Sequence, residues 1–225
     1  MIVVTGASKG LGRAICDRLL TKDFEVFGLA RNVTGTPFPS MSCDVSSYEA
    51  VKAVVQKLKK DGVKITGLIN AAGIASMNLA VTTPPAVSQN IVQTNLLGTI
   101  FCCQLIAPLM LRHKAGAIIN FSTIAVALGL KGESIYAASK AGVEGFTRAF
   151  AREMADFNVT VNCVAPGPID TNLLKGVSPL QVGRIVAQQI IPRQFTPDAV
   201  SDLVELLLDS RSSSLSGQVL HVGGA

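Results

Sequence analysis

The sequence has no tryptophan and only two tyrosines, and aromatic residues make up 5% of its 225 positions. Nucleic-acid platforms interleave stacking aromatics with basic side chains, so this scarcity argues against such a surface despite a formal charge of +5. Charge itself is sparse: Asp, Glu, Lys and Arg amount to 16%, and only Lys57, Lys59 and Lys60 approach a run. That run reads as the solvated end of a helix. What remains is a weak positive field suited to phosphates or an acidic carrier. No CxxC pair occurs among Cys16, Cys43, Cys102, Cys103 and Cys163, and none is spaced with His113 or His221 as a zinc site requires. No metal is expected, and the thiols read as reduced, mostly buried cysteines of a cytosolic protein. Met1 leads straight into "IVVTG" without the charged start and cleavage site of a signal peptide. No uninterrupted apolar run reaches the ~18 residues that span a bilayer. The expectation is a soluble, cytoplasmic protein with neither membrane nor nucleic acid among its partners.

What is present is apolar: 48% of the residues are hydrophobic, enough for one large core in a chain too short for two ordinary domains. Short β-branched or apolar runs recur at 1–6, 25–30, 67–70, 117–122, 160–165 and 218–222. Between most of them lie segments with helical spacing, at 11–22, 48–60, 87–113, 136–156 and 197–208. Continuous apolar strands alternating with helices predict an α/β fold, a single domain over 1–225 with a parallel sheet covered on both faces. The stretch from Arg31 to Asp44 is the exception: Gly35, Pro37 and Pro39 leave no room for a crossover helix, so a turn or irregular strand lead-in is expected.

"TGASKGLG" follows the first strand and opens the first helix, with Gly6, Gly10 and Gly12 around Ser8, Lys9 and Leu11. Glycines admit close approach of the backbone, and a helix N-terminus presents free N–H groups to a pyrophosphate. An acid at the end of the second strand would recognise the ribose 2′-hydroxyl of NAD, but the chain offers Ala30, Arg31 and Asn32. Arg31 with Lys9 suits a 2′-phosphate instead and points to NADP(H); a solvent-facing strand-end arginine is the plainer alternative. In "CDV", Asp44 beside Val45 is placed to bond an adenine amino group, or equally to serve as a helix N-terminal acid. "NAAG", Asn70, Ala71, Ala72 and Gly73, ends the fourth strand with small residues against which a cofactor can lie.

The order of motifs resembles the short-chain dehydrogenase/reductase family, and within it the 3-oxoacyl-[acyl-carrier-protein] reductases and their carbonyl-reductase relatives. "TGASKGLG", "CDV", "NAAG", "NLLG" with Asn95, "YAASK", "PGPIDT" and "SGQVLHVGG" run in family order over essentially the whole chain. The resemblance implies a doubly wound (Rossmann) sheet of about seven strands, one cofactor per subunit and usually a homotetramer. Pairing would use the two long helices, with a second interface at the final strand.

Tyr136 and Lys140 stand four apart on one face of a helix, so the ammonium can lie near the phenol. A nearby positive charge lowers a phenol from its ordinary value near ~10, giving a poised proton donor for a carbonyl receiving hydride. The family places a serine thirteen positions before the tyrosine; that position here is Thr123, with Ser122 in reserve. Successive side chains at a strand end point oppositely, so Thr123 is expected to face the site. By the same resemblance Asn95 kinks its helix and holds a water relaying protons to Lys140. Likewise, Ile169 backbone groups bind the nicotinamide carboxamide and Thr171 contacts cofactor phosphate or carboxamide. Pro166 and Gly167 shape that turn.

Three features depart from the family pattern. Ala71 replaces a second asparagine that the family often has, the 31–44 segment lacks most of a helix beside the adenine pocket, and Glu133 stands three before the tyrosine where many acyl-carrier reductases have glutamine. The lid is expected over about 172–193, with apolar Leu173, Leu174, Val177, Leu180 and Ile185. The resulting expectation is an NADPH-dependent ketone reductase acting on a small-molecule or acyl-carrier-bound ketone, foremost a 3-oxoacyl thioester. Its rivals are a carbonyl reductase or alcohol dehydrogenase acting on a sugar, steroid or secondary metabolite, and a non-catalytic nucleotide-sensing protein.

Overall fold

A computed structural model describes residues 1–171 and 177–225. Seven strands, β1 (Ile2–Thr5), β2 (Val26–Ala30), β3 (Ser40–Ser42), β4 (Gly67–Asn70), β5 (Gly116–Phe121), β6 (Val159–Pro166) and β7 (Val219–Val222), form one sheet. Their order is β3-β2-β1-β4-β5-β6-β7, and every neighbouring pair is parallel. The order reverses between β1 and β4, the kind of switch point at which open α/β sheets bind ligands beyond the strands' carboxyl ends.

Both faces of the sheet are covered, which is why the strands read as unbroken apolar runs. In β1, Val3 packs into a cluster with Val51, Val54 and Leu58 of α2 (Tyr48–Lys60) and with Cys102, Ile106 and Met110 of α4 (Gly98–Leu111). Ile2 and Val4 face the other way, onto Ile15 and Leu19 of α1 (Gly10–Leu20). Val200, Val204 and Leu207 of the last helix, Pro197–Leu208, complete that second layer.

The expected long helix at 87–113 is observed as Pro85–Leu111, made of α3 (Pro85–Val92), a π-helical turn at Gln93–Leu97 and α4. By length and composition it is apolar enough to cross a bilayer, although Gln93, Asn95 and Gln104 interrupt its apolar run. Here it is a core helix that buries Ile91, Cys102, Cys103, Ile106 and Met110. The 31–44 connection holds no helix: Asn32 closes a turn by accepting from Thr34 N, and the chain then enters β3. Phe38 covers β2 in its place, its ring pressed against Gly28 and under the Arg13 guanidinium at 5.7 Å. A short helix, α5 (Ile124–Leu128), follows β5 and was not legible in the sequence. The expected 136–156 helix is α6 (Ser134–Met154). Of the expected lid, α7 (Pro179–Val186) is helical with Leu180 exposed, whereas Leu173 and Leu174 lie outside the described residues.

Candidate active site

The glycine loop crosses from β1 to α1 in contact with the end of β4. A Cβ on Gly12 would lie 2.5 Å from Gly6 O, and one on Gly6 would lie 2.9 Å from Ala71 O and Ala72 N. Gly6 and Gly10 have φ of 69° and 57°, which glycine adopts without strain. Thr5 Oγ1 accepts from Ala72 N at 3.0 Å, fastening "NAAG" to the loop. The N-cap of α1, Lys9, makes no side-chain capping bond, and the first turn carries no acid. This leaves an electropositive helix end free for an anion. Thr171 approaches the same loop, its Cβ 3.9 Å from where a Gly10 Cβ would stand. These features fit the diphosphate of a dinucleotide.

The flanking expectations fare unevenly. Arg31 and Asp44 are both exposed, and Arg31 lies near enough to help hold the Asp44 carboxyl below its usual value, behind the Ser46 hydrogen bonds. Val45 is buried against Gly98. The Asn70 side chain is turned into the core, donating to Asn120 Oδ1 at 2.9 Å and to Cys103 Sγ at 3.3 Å. Its Oδ1 is buried and accepts no hydrogen bond among the described residues.

Tyr136, Lys140 and Ser139 share the buried face of α6. Thr123, the N-cap of α5, is a hydrogen-bonding neighbour of the Tyr136 phenol and accepts from Ala125 N at 3.2 Å. Ser122 points elsewhere, donating to Glu144 Oε1 at 2.7 Å in the core. The alternation at the end of β5 thus sends Thr123 to the phenol, as the strand geometry requires.

The electrostatics differ from the sequence expectation. The phenol is raised above its ordinary value, first by burial and then by the Glu133 carboxylate, with Thr123 pulling weakly the other way. The Lys140 ammonium, expected to draw the phenol down, donates instead to Phe121 O at 2.8 Å. Burial lowers Lys140 itself to about 8. Desolvation dominates both shifts because both groups lie in the interior, and neither has the other among its causes. Burial also raises Glu133.

Asn95 is fully buried in the π turn, a bulge that frequently marks a functional position. Its Oδ1 accepts from Ile74 N at 2.8 Å, and its Nδ2 donates to Ile74 O at 2.9 Å and to Ser139 Oγ at 3.1 Å. Both amide hydrogens are committed, so one Oδ1 lone pair remains. Asn95 Oδ1 and Lys140 Nζ both border Gly73: a Cβ there would stand 3.3 Å from the one and 3.5 Å from the other. Ser139, which also donates to Tyr136 O at 2.7 Å, was missed in the sequence, although its place three after the tyrosine sets it on the same helix face. Beyond β6, Gly167 N donates to Val222 O, and Ile169 bridges Phe195.

The family model described as short chain dehydrogenase matches residues 1–181. The 3-oxoacyl-[acyl-carrier-protein] reductase FabG of Vibrio cholerae is 32% identical, over 99% of this chain and 95% of its own length. Carbonyl reductase family member 4 of Danio rerio is 34% identical, over 100% and 96%. Among solved structures, the ligand-free aldohexose dehydrogenase of Thermoplasma acidophilum superposes with a TM-score of 0.90 at 29% identity, over 99% of this chain and 92% of that one. ElxO with NADP bound superposes with a TM-score of 0.89 at 27% identity, over 98% and 96%. With motifs, sheet order and these matches in agreement, the chain belongs to the short chain dehydrogenase family and is an oxidoreductase of that family.

Proposed function

We propose that this chain reduces a ketone to a secondary alcohol with NADPH, a 3-oxoacyl thioester being the leading substrate class. The observation that carries the reading is that Tyr136 and Lys140 share the buried face of α6, with Thr123 beside the phenol and Lys140 Nζ beside Gly73 at the end of the strand next to the glycine loop. Gly6, Ser8, Lys9, Gly10, Leu11 and Gly12 would hold the diphosphate, with Arg31 at the 2′-phosphate and Ile169 and Thr171 at the nicotinamide end. Bound NADPH supplies the hydride. Thr123 orients the substrate oxygen, and Tyr136 gives it a proton. Lys140 would hold the ribose and return a proton to the phenol, with Asn95 fixing the backbone at Ile74 and offering its remaining lone pair to the relay. ElxO, similar over almost the whole chain, binds NADP, and FabG of Vibrio cholerae is a 3-oxoacyl-carrier reductase, which supports cofactor and substrate class. A soluble, cytoplasmic homotetramer belongs to the same reading.

A second substrate class, a sugar or other polyol, is favoured by Glu133, whose half-buried carboxyl stands one helical turn from the phenol. The aldohexose dehydrogenase similarity points the same way. The deciding assay follows NADPH oxidation with acetoacetyl thioester and with a panel of sugars and ketones. Turnover of the thioester, abolished in Tyr136→Phe, is expected; turnover of another ketone alone removes the leading substrate. No turnover of any carbonyl, unchanged by Tyr136→Phe, favours a nucleotide-binding protein without chemistry. Arg31→Asp is expected to weaken NADPH relative to NADH, and an unchanged ratio removes Arg31 from the phosphate site.

A further inference from the structure

Gln189 lies just past α7, only 5% exposed, where the lid rejoins the body of the protein. Its Nε2 donates to Arg193 O at 2.8 Å and to Ile191 O at 3.3 Å. Its Oε1 is buried, and among the described residues no hydrogen-bond donor reaches it. The amide cannot be turned over to relieve this, since the oxygen would then face two carbonyl oxygens. An orphaned buried acceptor costs free energy, so the side chain is held there by what its donor end does.

The orphan oxygen fills a cradle between two glycines. A Cβ on Gly167 would fall on Gln189 Oε1, and one on Gly223 would lie 2.8 Å from it. Gly223 has φ of 96° and needs glycine on backbone grounds alone, whereas Gly167 is absent from the positive-φ glycines. At Gly167 the obstacle to a side chain is therefore the Gln189 amide, with Ile124 Cδ1 a looser neighbour at 3.4 Å. The same junction is tied by Ile191 N to Gly223 O at 2.9 Å and by the Ile169–Phe195 bridge.

We propose that Gln189 is a positioning residue: its amide, anchored on the Ile191 and Arg193 carbonyls of its own loop, latches the exit of the lid against the segment after β6 by packing, and Gly167 is glycine to admit it. The latch holds the backbone from Gly167 to Ile169 in register for the nicotinamide end of the cofactor, and that part rests on the NADPH reading above. Gln189→Ala, Gln189→Glu, Gly167→Ala and the double variant Gln189→Ala/Gly167→Ala test it. The readouts are NADPH affinity by nucleotide fluorescence, KM and kcat, and thermal midpoints without nucleotide. Gln189→Ala is expected to raise KM for NADPH about tenfold, through two lost hydrogen bonds, with kcat at saturation changed less than about twofold. Gln189→Glu keeps the length but sets an acceptor against two carbonyls, and should bind as weakly. Gly167→Ala should weaken NADPH about tenfold in the parent yet less than about twofold once Gln189 is Ala, because the collision is gone. Strictly additive losses, or an unchanged KM in Gln189→Ala, overturn the latch. A parent that binds no NADPH overturns the cofactor reading instead, and the midpoints then decide: non-additive values for 167 and 189 sustain the latch, and additive ones overturn it.

Discussion

Lys140 offers a test of the buried site that does not depend on any substrate. Its ammonium is 5% exposed, and burial lowers it from 10.5 to about 8. Below pH 8 both folded and unfolded chains carry the proton, and the folded chain bears the full cost of a buried charge. Between pH 8 and 10.5 the folded chain releases the proton while the unfolded chain keeps it, so the Lys140 contribution to stability rises with pH. Between pH 7 and 9 the linkage amounts to about 1 kcal/mol, or about 2–4 °C in a domain of this size. The buried thiols Cys16, Cys43, Cys103 and Cys163, raised to between about 11 and about 12, act oppositely. The unfolded chain ionises them first, removing stability as pH rises through 9 and above. Lys140→Met isolates the lysine because the thiols remain in both proteins. Thermal midpoints at pH 7 and pH 9 should show the parent gaining those degrees on the variant. If the two move in parallel, or the parent falls behind, the ammonium is not desolvated and the account of this site is wrong.

Three further outcomes follow from the same geometry. Thr123→Val should lower kcat about a hundredfold by removing the hydroxyl beside the phenol, whereas Ser122→Ala should leave kcat within about threefold and cost about 1–2 kcal/mol of stability through its lost bond to Glu144; steady-state kinetics and denaturant titration separate them. Gly12→Ala places a methyl 2.5 Å from Gly6 O and should cost about 2 kcal/mol and weaken nucleotide binding, checked by thermal midpoint and titration. Glu133→Gln removes the second-largest cause of the raised phenol, so the rise of alcohol oxidation with pH should move to lower pH, and a move upward would contradict it.

The fold was legible because its signals are local and repeated. β1 and β4 bury both faces and so carry no alternation to misread, and α2 and the last helix begin and end where their periodicity does. The absent crossover helix at 31–44 followed from proline and glycine chemistry alone. By contrast, α5 spans five residues, too few for a 3.6-residue period to register. The residues around the site divide in the same way. Thr123, Tyr136 and Lys140 are held by neighbours in one strand end and one helix, so spacing finds them. Gln189 acts across 22 positions of chain on Gly167 and 34 on Gly223, and no local pattern encodes such a meeting. Burial escaped the sequence too: a tyrosine and a lysine four apart look like mutual tuning until the depth of both is known.

That depth has a consequence for the direction of the proposed reaction. A phenol raised by burial stays protonated throughout the physiological range, which is the form reduction consumes. Oxidation must begin from the phenolate, which the same burial disfavours and the Glu133 carboxylate disfavours further. The overall equilibrium between ketone and alcohol is untouched by this, since the protein returns to its starting state in either direction. What changes is the pH dependence. Reduction should show no loss from phenol ionisation near neutral pH, while oxidation should climb with pH well into the alkaline range. Lys140, set at about 8, shares in that climb, because below that value its ammonium is the resident form beside Phe121 O, and above it a neutral amine takes over as proton acceptor. Both groups therefore shape the alkaline climb, the tyrosine through its phenolate and the lysine through its neutral amine.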